Sequence, residues 1–160
     1  MKTEGGIWFK DYKLDYLEGM RNANMGTHIG LEFSELGPDF LKGRMPVDHR
    51  TTQPFGILHG GASCVLSETL GSVAAWMTID PDLYRAVGLE INCNHIRAVT
   101  KGYVEGICKA FHVGKRTQVW QTEIFEEESR KLVAVSRLTV AVIDQGTLSA
   151  QKNAVHVGKS

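Results

Sequence analysis

The sequence lacks an excess of charge of either sign, because 18 lysine and arginine residues balance 18 aspartate and glutamate residues. A protein that binds nucleic acid through general electrostatics needs a basic surplus to neutralise phosphates. The balance argues against that class, although it leaves room for a small local basic patch. No window approaches the ~20 apolar residues of a membrane-spanning helix. The N-terminus has no apolar segment of signal-peptide length, so we expect a soluble, cytoplasmic protein.

Cysteine is scarce, and its three copies, Cys64, Cys93 and Cys108, form no CxxC pair. Each lies in an apolar segment and their number is odd, so we expect free, buried, reduced thiols. The six histidines show no HxH or HExxH spacing, and we therefore expect no metal site. A GxSxG sequence is also missing, which leaves a Ser-His-Asp hydrolase of that type unsupported.

The secondary-structure signals predict one domain of class α+β over residues 1–143, followed by a polar tail over 144–160 that we expect to be mobile. Apolar spacing predicts a short helix over 11–23 and a long one over 61–77. β-Branched and aromatic residues between turn signals predict strands over 29–36, 40–47, 87–94, 103–112, 117–125 and 132–143. Only the long helix can cover the buried face of such a sheet, so we expect one central helix wrapped by a curved antiparallel β-sheet.

The long helix carries one carboxylate, Glu68, among apolar neighbours, and burying it costs free energy that a function has to justify. His59-Gly60-Gly61 opens the helix, where backbone N–H groups and the positive end of the macrodipole attract developing negative charge. Ser72 follows Glu68 by one turn on the same face. A buried carboxylate and a helix N-terminus together outline a site for acyl transfer or acyl hydrolysis.

The loop before this helix reads Gln53-Pro-Phe-Gly-Ile-Leu-His59-Gly60-Gly61-Ala-Ser and, with Glu68 and Ser72, resembles the hotdog-fold acyl-CoA thioesterases. The nearest branch comprises the thioesterases that act on aryl-CoA and 1,4-dihydroxy-2-naphthoyl-CoA and the proofreading thioesterases of siderophore synthesis. Residues 45–51, 87–97 and 111–120 resemble the same family, so the likeness runs from about residue 7 to residue 143. The resemblance implies a hotdog fold and hydrolysis of an acyl-CoA with an aromatic or medium-sized acyl group. Coenzyme A is then part of the substrate, and no separate cofactor is expected.

The resemblance assigns the catalytic role to Glu68, as nucleophile or general base. The Gly60 N–H, at the helix N-terminus and with no side chain in the way, can polarise the thioester carbonyl. The resemblance gives orienting roles to His59 and Gln53, and Ser72 is placed to hydrogen-bond the carboxylate or the attacking water. Each residue also has a purely structural alternative. Glu68 could simply reach solvent, and His59 and Gly60 could form a turn that caps the helix. Gln53 could be a solvated loop amide, and Ser72 a small residue that permits close packing.

Coenzyme A contacts are implied by the same resemblance, with the basic side chains on the phosphates. The residues are Gly88, His95, Arg97, His112, Gly114, Lys115 and Arg116. The plain alternative for the charged ones is a solvated surface. Unless a bulge intervenes, strand alternation places His95 and Arg97 on the same face as Val87 and Leu89, which we expect to point inward.

Two other functions stay open: a hotdog-fold dehydratase or hydratase, in which the loop histidine is the acid or base, and a non-catalytic acyl-CoA-binding module. Gly60 and Glu68 are eight residues apart, or ~12 Å along a helix, which is too far for both to meet one thioester carbon. A second, antiparallel copy related by a two-fold axis would place its Glu68 beside Gly60. We therefore expect a homodimer with shared sites, in which the small residues Gly71 and Ala75 ease close approach. The resemblance implies that such dimers pair into a homotetramer.

Overall fold

The computed structural model describes residues 6–20 and 24–146, which form three helices and one six-stranded sheet. The helices are α1 (Leu14–Gly19), α2 (Met25–His28) and α3 (Gly60–Met77). The strands are β1 (Glu32–Leu36), β2 (Phe40–Pro46), β3 (Tyr84–His95), β4 (Tyr103–Val113), β5 (Thr117–Glu126) and β6 (Leu132–Asp144). All pairings are antiparallel in the order β1-β2-β4-β5-β6-β3, so β1 and β3 are the edge strands.

Helix α3 lies against the sheet and contacts every strand from β2 to β6. Its inward side buries Leu66 and Leu70 completely, each worth about 2 kcal/mol of apolar transfer free energy. A Cβ added at Gly71 would lie 2.6 Å from Leu138 Cδ2, so this glycine lets the helix approach β6 closely. Gly71 and Ala75 are thus buried within their own chain, and the expectation that they ease contact with a second copy is wrong. The predicted α+β architecture with one central helix is confirmed.

The ends of the chain differ from the sequence-based expectations. The helix predicted over 11–23 is limited to Leu14–Gly19, and residues 21–23 lie outside the described part of the chain. The single turn of α2, capped by Asn24 Oδ1 at 3.1 Å from the Thr27 N–H, is too short to show a periodic pattern. None of the helices within the described residues is long and apolar enough to cross a membrane.

The predicted tail does not begin at residue 144. Strand β6 includes Asp144, and the Gln145 N–H donates to the Leu83 carbonyl at 2.9 Å. Gln145 Nε2 also donates to the Pro81 carbonyl at 2.8 Å. The start of this segment is therefore fastened to the body of the protein, and residues 147–160 lie outside the described part of the chain.

Strand β3 contains a bulge that reverses its faces. Gly88 and Glu90 pair with consecutive residues of β6, which leaves Leu89 without a counterpart. An extra residue in a strand exchanges the inner and outer positions beyond it. The expectation that Val87 and Leu89 face the core is accordingly wrong, since these side chains are 44% and 63% exposed.

The bulge decides which side chains of β3 meet the long helix. Before it, Ala86 packs against the core and Gly88 faces Glu68. After it, Ile91 and Cys93 pack against the core as expected. Without the extra residue, a strictly alternating strand could not turn both Gly88 and the odd-numbered positions beyond it towards α3.

Candidate active site

The loop between β2 and α3 is held by hydrogen bonds of its own. Thr51 Oγ1 donates to the Pro46 carbonyl at 2.6 Å, and the His59 N–H donates to the Thr51 carbonyl at 2.9 Å. The Gln53 N–H donates to the Ile57 carbonyl at 2.9 Å, which closes a short turn. These bonds fix the Gln53 backbone at a definite distance from the start of the helix.

An ion pair braces the beginning of the same loop. Arg50 Nη2 lies 2.6 Å from Asp48 Oδ2, and the Arg50 N–H donates to Asp48 Oδ1 at 2.9 Å. These hydrogen bonds from Arg50 lower the pKa of Asp48 to about 2. The Asp48 carbonyl also accepts from Thr52 Oγ1 at 2.9 Å, so the charged pair and the turn support each other.

His59 caps the N-terminus of α3, as its position before the Gly-Gly pair suggests. Its Nδ1 accepts from the Gly61 N–H at 2.8 Å, and its carbonyl accepts from Ala62 and Ser63 at 2.9 and 3.3 Å. An accepting Nδ1 places the proton of the neutral ring on Nε2. The Gly61, Ala62 and Ser63 N–H groups are thus engaged. Among the described residues, the Gly60 N–H is the donor of the first helical turn that stays available to a ligand.

A cleft of about 530 Å³ opens beside this helix end. Five of the residues predicted from the sequence line it: Gln53, His59, Gly60, His95 and Arg97. A Cβ added at Gly60 would lie 2.7 Å from His95 Nε2, so any larger residue here would have to displace the imidazole. The loop, the helix N-terminus and the end of β3 therefore meet in one place.

Ser63 also lines this cleft, and the sequence analysis missed it. The residue is buried and follows Gly60 by three positions on the same helix face. That spacing is the signal by which the sequence could have indicated it.

Glu68 does not line the cleft but belongs to a second group further along α3. Its Oε1 accepts from Ser72 Oγ at 3.1 Å, and the same oxygen lies 2.7 Å from the position of a Cβ at Gly88. The half-buried carboxylate thus points towards β3, the strand at the free edge of the sheet. Glu68 and Ser72 come together as expected from their spacing, at ~12 Å along the helix from Gly60. Gly88, which the sequence placed among the coenzyme A contacts, lies beside Glu68 instead.

The basic turn predicted after β4 is present as the connection between β4 and β5. The Gly114 N–H donates to the Thr117 carbonyl at 3.1 Å, and Lys115 and Arg116 are exposed at its tip. A Cβ at Gly114 would lie 2.5 Å from His112 Nε2, so the imidazole packs directly over the glycine. His112, Gly114, Lys115 and Arg116 therefore form one exposed basic group.

This basic group lies at the opposite end of the sheet from the cleft. Along β6, Ala134 pairs with His95, whereas the Val142 N–H donates to the Arg116 carbonyl. The eight residue steps from Ala134 to Val142 span about 26 Å of strand. Within one protomer, His95 and Arg97 are thus separate from the basic turn.

The three cysteines are free, and two of them lie close together. Burial, followed by the neighbouring Cys64 thiol, raises the pKa of Cys93 to about 12, and burial raises that of Cys108 to about 12. The ligand atoms of Cys64, Cys93 and His95 all lie within 4.8 Å of one another. No sequence spacing indicated this cluster, because Cys64 comes from α3 and the other two residues from β3.

Comparison with known proteins gives a consistent result. The family model of the thioesterase superfamily matches residues 55–133. The 1,4-dihydroxy-2-naphthoyl-CoA hydrolase of Escherichia coli K12 is 48% identical over 137 residues, covering 86% of this chain and 99% of the relative. The proofreading thioesterase EntH of Cronobacter turicensis is 44% identical over 137 residues, covering 86% and 98%.

A solved structure supports the same assignment. The crystal structure of a thioesterase from Haemophilus influenzae is 43% identical, with a TM-score of 0.82 over 86% of this chain and 95% of that chain. The resemblance stated from the loop and helix motifs is therefore confirmed, as is the hotdog fold. This chain belongs to the thioesterase superfamily.

Proposed function

We propose that this protein hydrolyses an acyl-CoA with an aromatic or medium-sized acyl group to the free acid and coenzyme A. The observation that supports this proposal most directly is the cleft beside α3. In it, Gly60 at the start of the helix lies between the Gln53 loop and His95. The names of the relatives support the substrate class, since one is a 1,4-dihydroxy-2-naphthoyl-CoA hydrolase and another a proofreading thioesterase.

In the proposed reaction, the thioester oxygen accepts from the Gly60 N–H, and that bond strengthens as negative charge develops on the oxygen. A single donor of this kind is worth about 3 kcal/mol of the barrier. As general base, Glu68 takes a proton from water while the oxygen of water adds to the carbonyl carbon. The C–S bond then breaks, and the leaving thiolate takes up the proton.

The alternative role for Glu68 is direct attack. Its carboxylate oxygen adds to the carbonyl carbon, the C–S bond breaks, and water then hydrolyses the resulting anhydride. Both routes need the carboxylate next to the polarised carbonyl. Both also use His59 as a positioning residue, because its Nδ1 is engaged in capping the helix.

The ~12 Å between Gly60 and Glu68 on one helix leads us to propose that two copies share each site. Gly60 lies beside His95, and Glu68 lies beside Gly88. Along β3, Ile91 lies about midway between Gly88 and His95. A two-fold axis perpendicular to the sheet and passing near Ile91 would therefore exchange the positions of Gly88 and His95 between the two copies. Glu68 of one copy would then lie level with Gly60 of the other.

The same axis also bears on the separation between the basic turn and Arg97, which lie at opposite ends of the sheet within one protomer. Val142 pairs with Ala86 and bonds Arg116, so the basic turn lies at the level of Ala86. A two-fold rotation near Ile91 carries that level to about Arg97 of the other copy. One symmetry operation therefore brings both pairs of residues that a single protomer keeps apart to the same levels along the strands, and we assign the cationic groups to the phosphates of coenzyme A.

Strand β3 offers the surface that such a pairing needs. It is 12 residues long and lies at the edge of the sheet, where its outward hydrogen-bonding groups are available to another strand. Its bulge exposes Val87 and Leu89, which would be buried in the pairing. We propose a homodimer joined through β3, with two-fold symmetry.

A panel of acyl-CoA thioesters tests the proposed reaction, with release of free thiol as the readout and Glu68→Gln as the matched control. We expect thiol release, with the highest kcat/KM on aromatic or medium-sized acyl groups. A change in enoyl-thioester absorbance without thiol release would instead indicate a dehydratase or hydratase. Binding without either signal would indicate an acyl-CoA-binding module.

A further inference from the structure

The two half-buried cysteines and one histidine form a cluster that the proposed hydrolysis does not use. Cys64 lies on α3, and Cys93 and His95 lie two residues apart on β3, after the bulge. Their ligand atoms are all within 4.8 Å of one another, and Cys93 Sγ lies 3.8 Å from His95 Nδ1. Three ligand atoms from two different elements thus converge on one point.

The distances fit a tetrahedral metal ion. Zn²⁺ binds thiolate at about 2.3 Å and imidazole at about 2.0–2.1 Å, which places neighbouring ligand atoms roughly 3.5–3.8 Å apart. The separation of Cys93 and His95 already has this value, at 3.8 Å. The other pairs lie within 4.8 Å, so each needs to close by at most about 1.3 Å to reach it.

The ligand types select the class of metal. Two sulfurs and one imidazole nitrogen are soft or borderline ligands, which suit Zn²⁺ and similar thiophilic ions. Mg²⁺ and Ca²⁺ require oxygen ligands, so this cluster does not suit them. A set of three protein ligands leaves a fourth position for water or another ligand.

We propose that Cys64, Cys93 and His95 form a binding site for Zn²⁺ that regulates the enzyme by inhibition. The thiols lose their protons when the metal binds, and His95 binds through Nδ1. The other ring nitrogen, Nε2, lies beside Gly60, where an added Cβ would be 2.7 Å away. Metal binding therefore fixes the orientation of His95, a side chain that lines the cleft beside the helix N-terminus. The inhibitory part rests on the proposed hydrolysis, whereas metal binding itself does not.

Binding is tested without substrate, using Co²⁺ as a spectroscopic probe on protein reduced with a phosphine. We expect one Co²⁺ per chain, with the absorption of thiolate-to-cobalt charge transfer, and its loss when Zn²⁺ is added. Cys64→Ala and Cys93→Ala should each weaken binding at least tenfold. Cys108→Ala is the matched control, because Cys108 is a free, buried cysteine outside the cluster, and it should retain the signal.

A wild-type measurement covers the case in which a cysteine variant does not fold. Zn²⁺ should slow alkylation of Cys64 and Cys93, mapped by mass spectrometry, without changing the rate at Cys108. The concentration of Zn²⁺ that halves hydrolysis should rise at least tenfold in Cys64→Ala relative to Cys108→Ala. If the protein proves not to hydrolyse thioesters, the cobalt and alkylation results still decide whether the site exists.

Three results would overturn the proposal. The first is binding of Co²⁺ without a charge-transfer band, which would place the metal on histidines alone. The second is equal affinity in the cluster variants and in Cys108→Ala. The third is loss of two thiols that the phosphine restores, which would mean that dissolved oxygen has oxidised Cys64 and Cys93 to a disulfide, with the oxygen reduced to peroxide, and that no metal complex forms.

Discussion

The two ends of the proposed chemistry are built in different ways. The cleft around Gly60 is assembled within one chain from a hydrogen-bonded loop, a capped helix and the end of β3. Among the residues that the structure describes, the Glu68 group rests on one hydrogen bond from Ser72 and on the absence of a side chain at Gly88, and it points to the free edge of the sheet. The first group is complete within its protomer, and the second is open on one side.

This difference shows which contacts position each part of the site. The proposed oxyanion donor, the Gly60 N–H, is positioned by the bonds of His59, so we expect it to be in place before substrate binds. The carboxylate is oriented by fewer contacts, and we expect the second copy to supply the rest. Changes at the Glu68 group should therefore affect turnover, and changes in the loop that supports the cleft should affect stability more than chemistry.

The largest effect is expected for Glu68→Gln, which keeps the size of the side chain and removes its charge. Loss of a catalytic base or nucleophile should lower kcat by about 10²- to 10⁴-fold. Steady-state kinetics measure this, and the melting temperature should stay unchanged. The exposed Glu128→Gln serves as the control for loss of one negative charge. A variant at Glu68 with wild-type turnover would contradict both proposed routes.

A smaller loss is expected for Gly88→Ala. The added Cβ would lie 2.7 Å from Glu68 Oε1, so the carboxylate has to move, although the flexible side chain can do so without unfolding the protein. A displacement of about 1 Å can cost up to about 10²-fold in rate, and we expect about tenfold or more in kcat. Gly19→Ala, where an added Cβ meets no atom within 4 Å, is the matched control. Equal kcat in the two variants would mean that the Glu68 position is not critical.

The basic turn should influence binding more than chemistry. Replacing Lys115 and Arg116 with Ala removes two exposed charges, and we expect KM for acyl-CoA to rise several-fold while kcat is retained. A short pantetheine thioester, which has no nucleotide phosphates, should show no such change. Equal losses on the two substrates would instead assign these residues a structural role.

The smallest effect concerns the loop that carries Gln53. Asp48→Asn weakens the ion pair with Arg50, and because about a third of each side chain is exposed, solvent screening limits the loss to about 0.5–1 kcal/mol of unfolding free energy. The pKa of Asp48 is lowered to about 2, so its contribution is complete above pH ~4 and declines as the pH falls towards 2. Denaturant unfolding at pH 7 and pH 2 measures this. A difference between wild type and variant that is as large at pH 2 as at pH 7 would contradict the account.

The sequence predicted the parts of this structure that depend on local patterns. The long helix begins one residue earlier than expected, and the six strands occur where their residue types place them. The motif at His59-Gly60-Gly61 likewise identified the helix N-terminus and the cleft beside it.

What the sequence missed depends on contacts between distant segments. The bulge at Leu89 arises in the pairing with β6, and a regular alternation of residue types cannot show where a partner strand skips one residue. The cluster of Cys64, Cys93 and His95 was missed for a related reason, since it forms only when α3 packs on β3 after that bulge.

The central claim is that each site takes Gly60 and Gln53 from one chain and Glu68 from its partner, and subunit complementation tests it most directly. Gln53→Ala and Glu68→Ala are each expected to be inactive, and they are mixed under conditions that allow proven subunit exchange. Under random mixing, half of the dimers are mixed and one of the two sites in each is intact, so the account predicts about a quarter of wild-type activity. Activity that stays absent despite exchange would contradict it, because each site would then lie within a single chain.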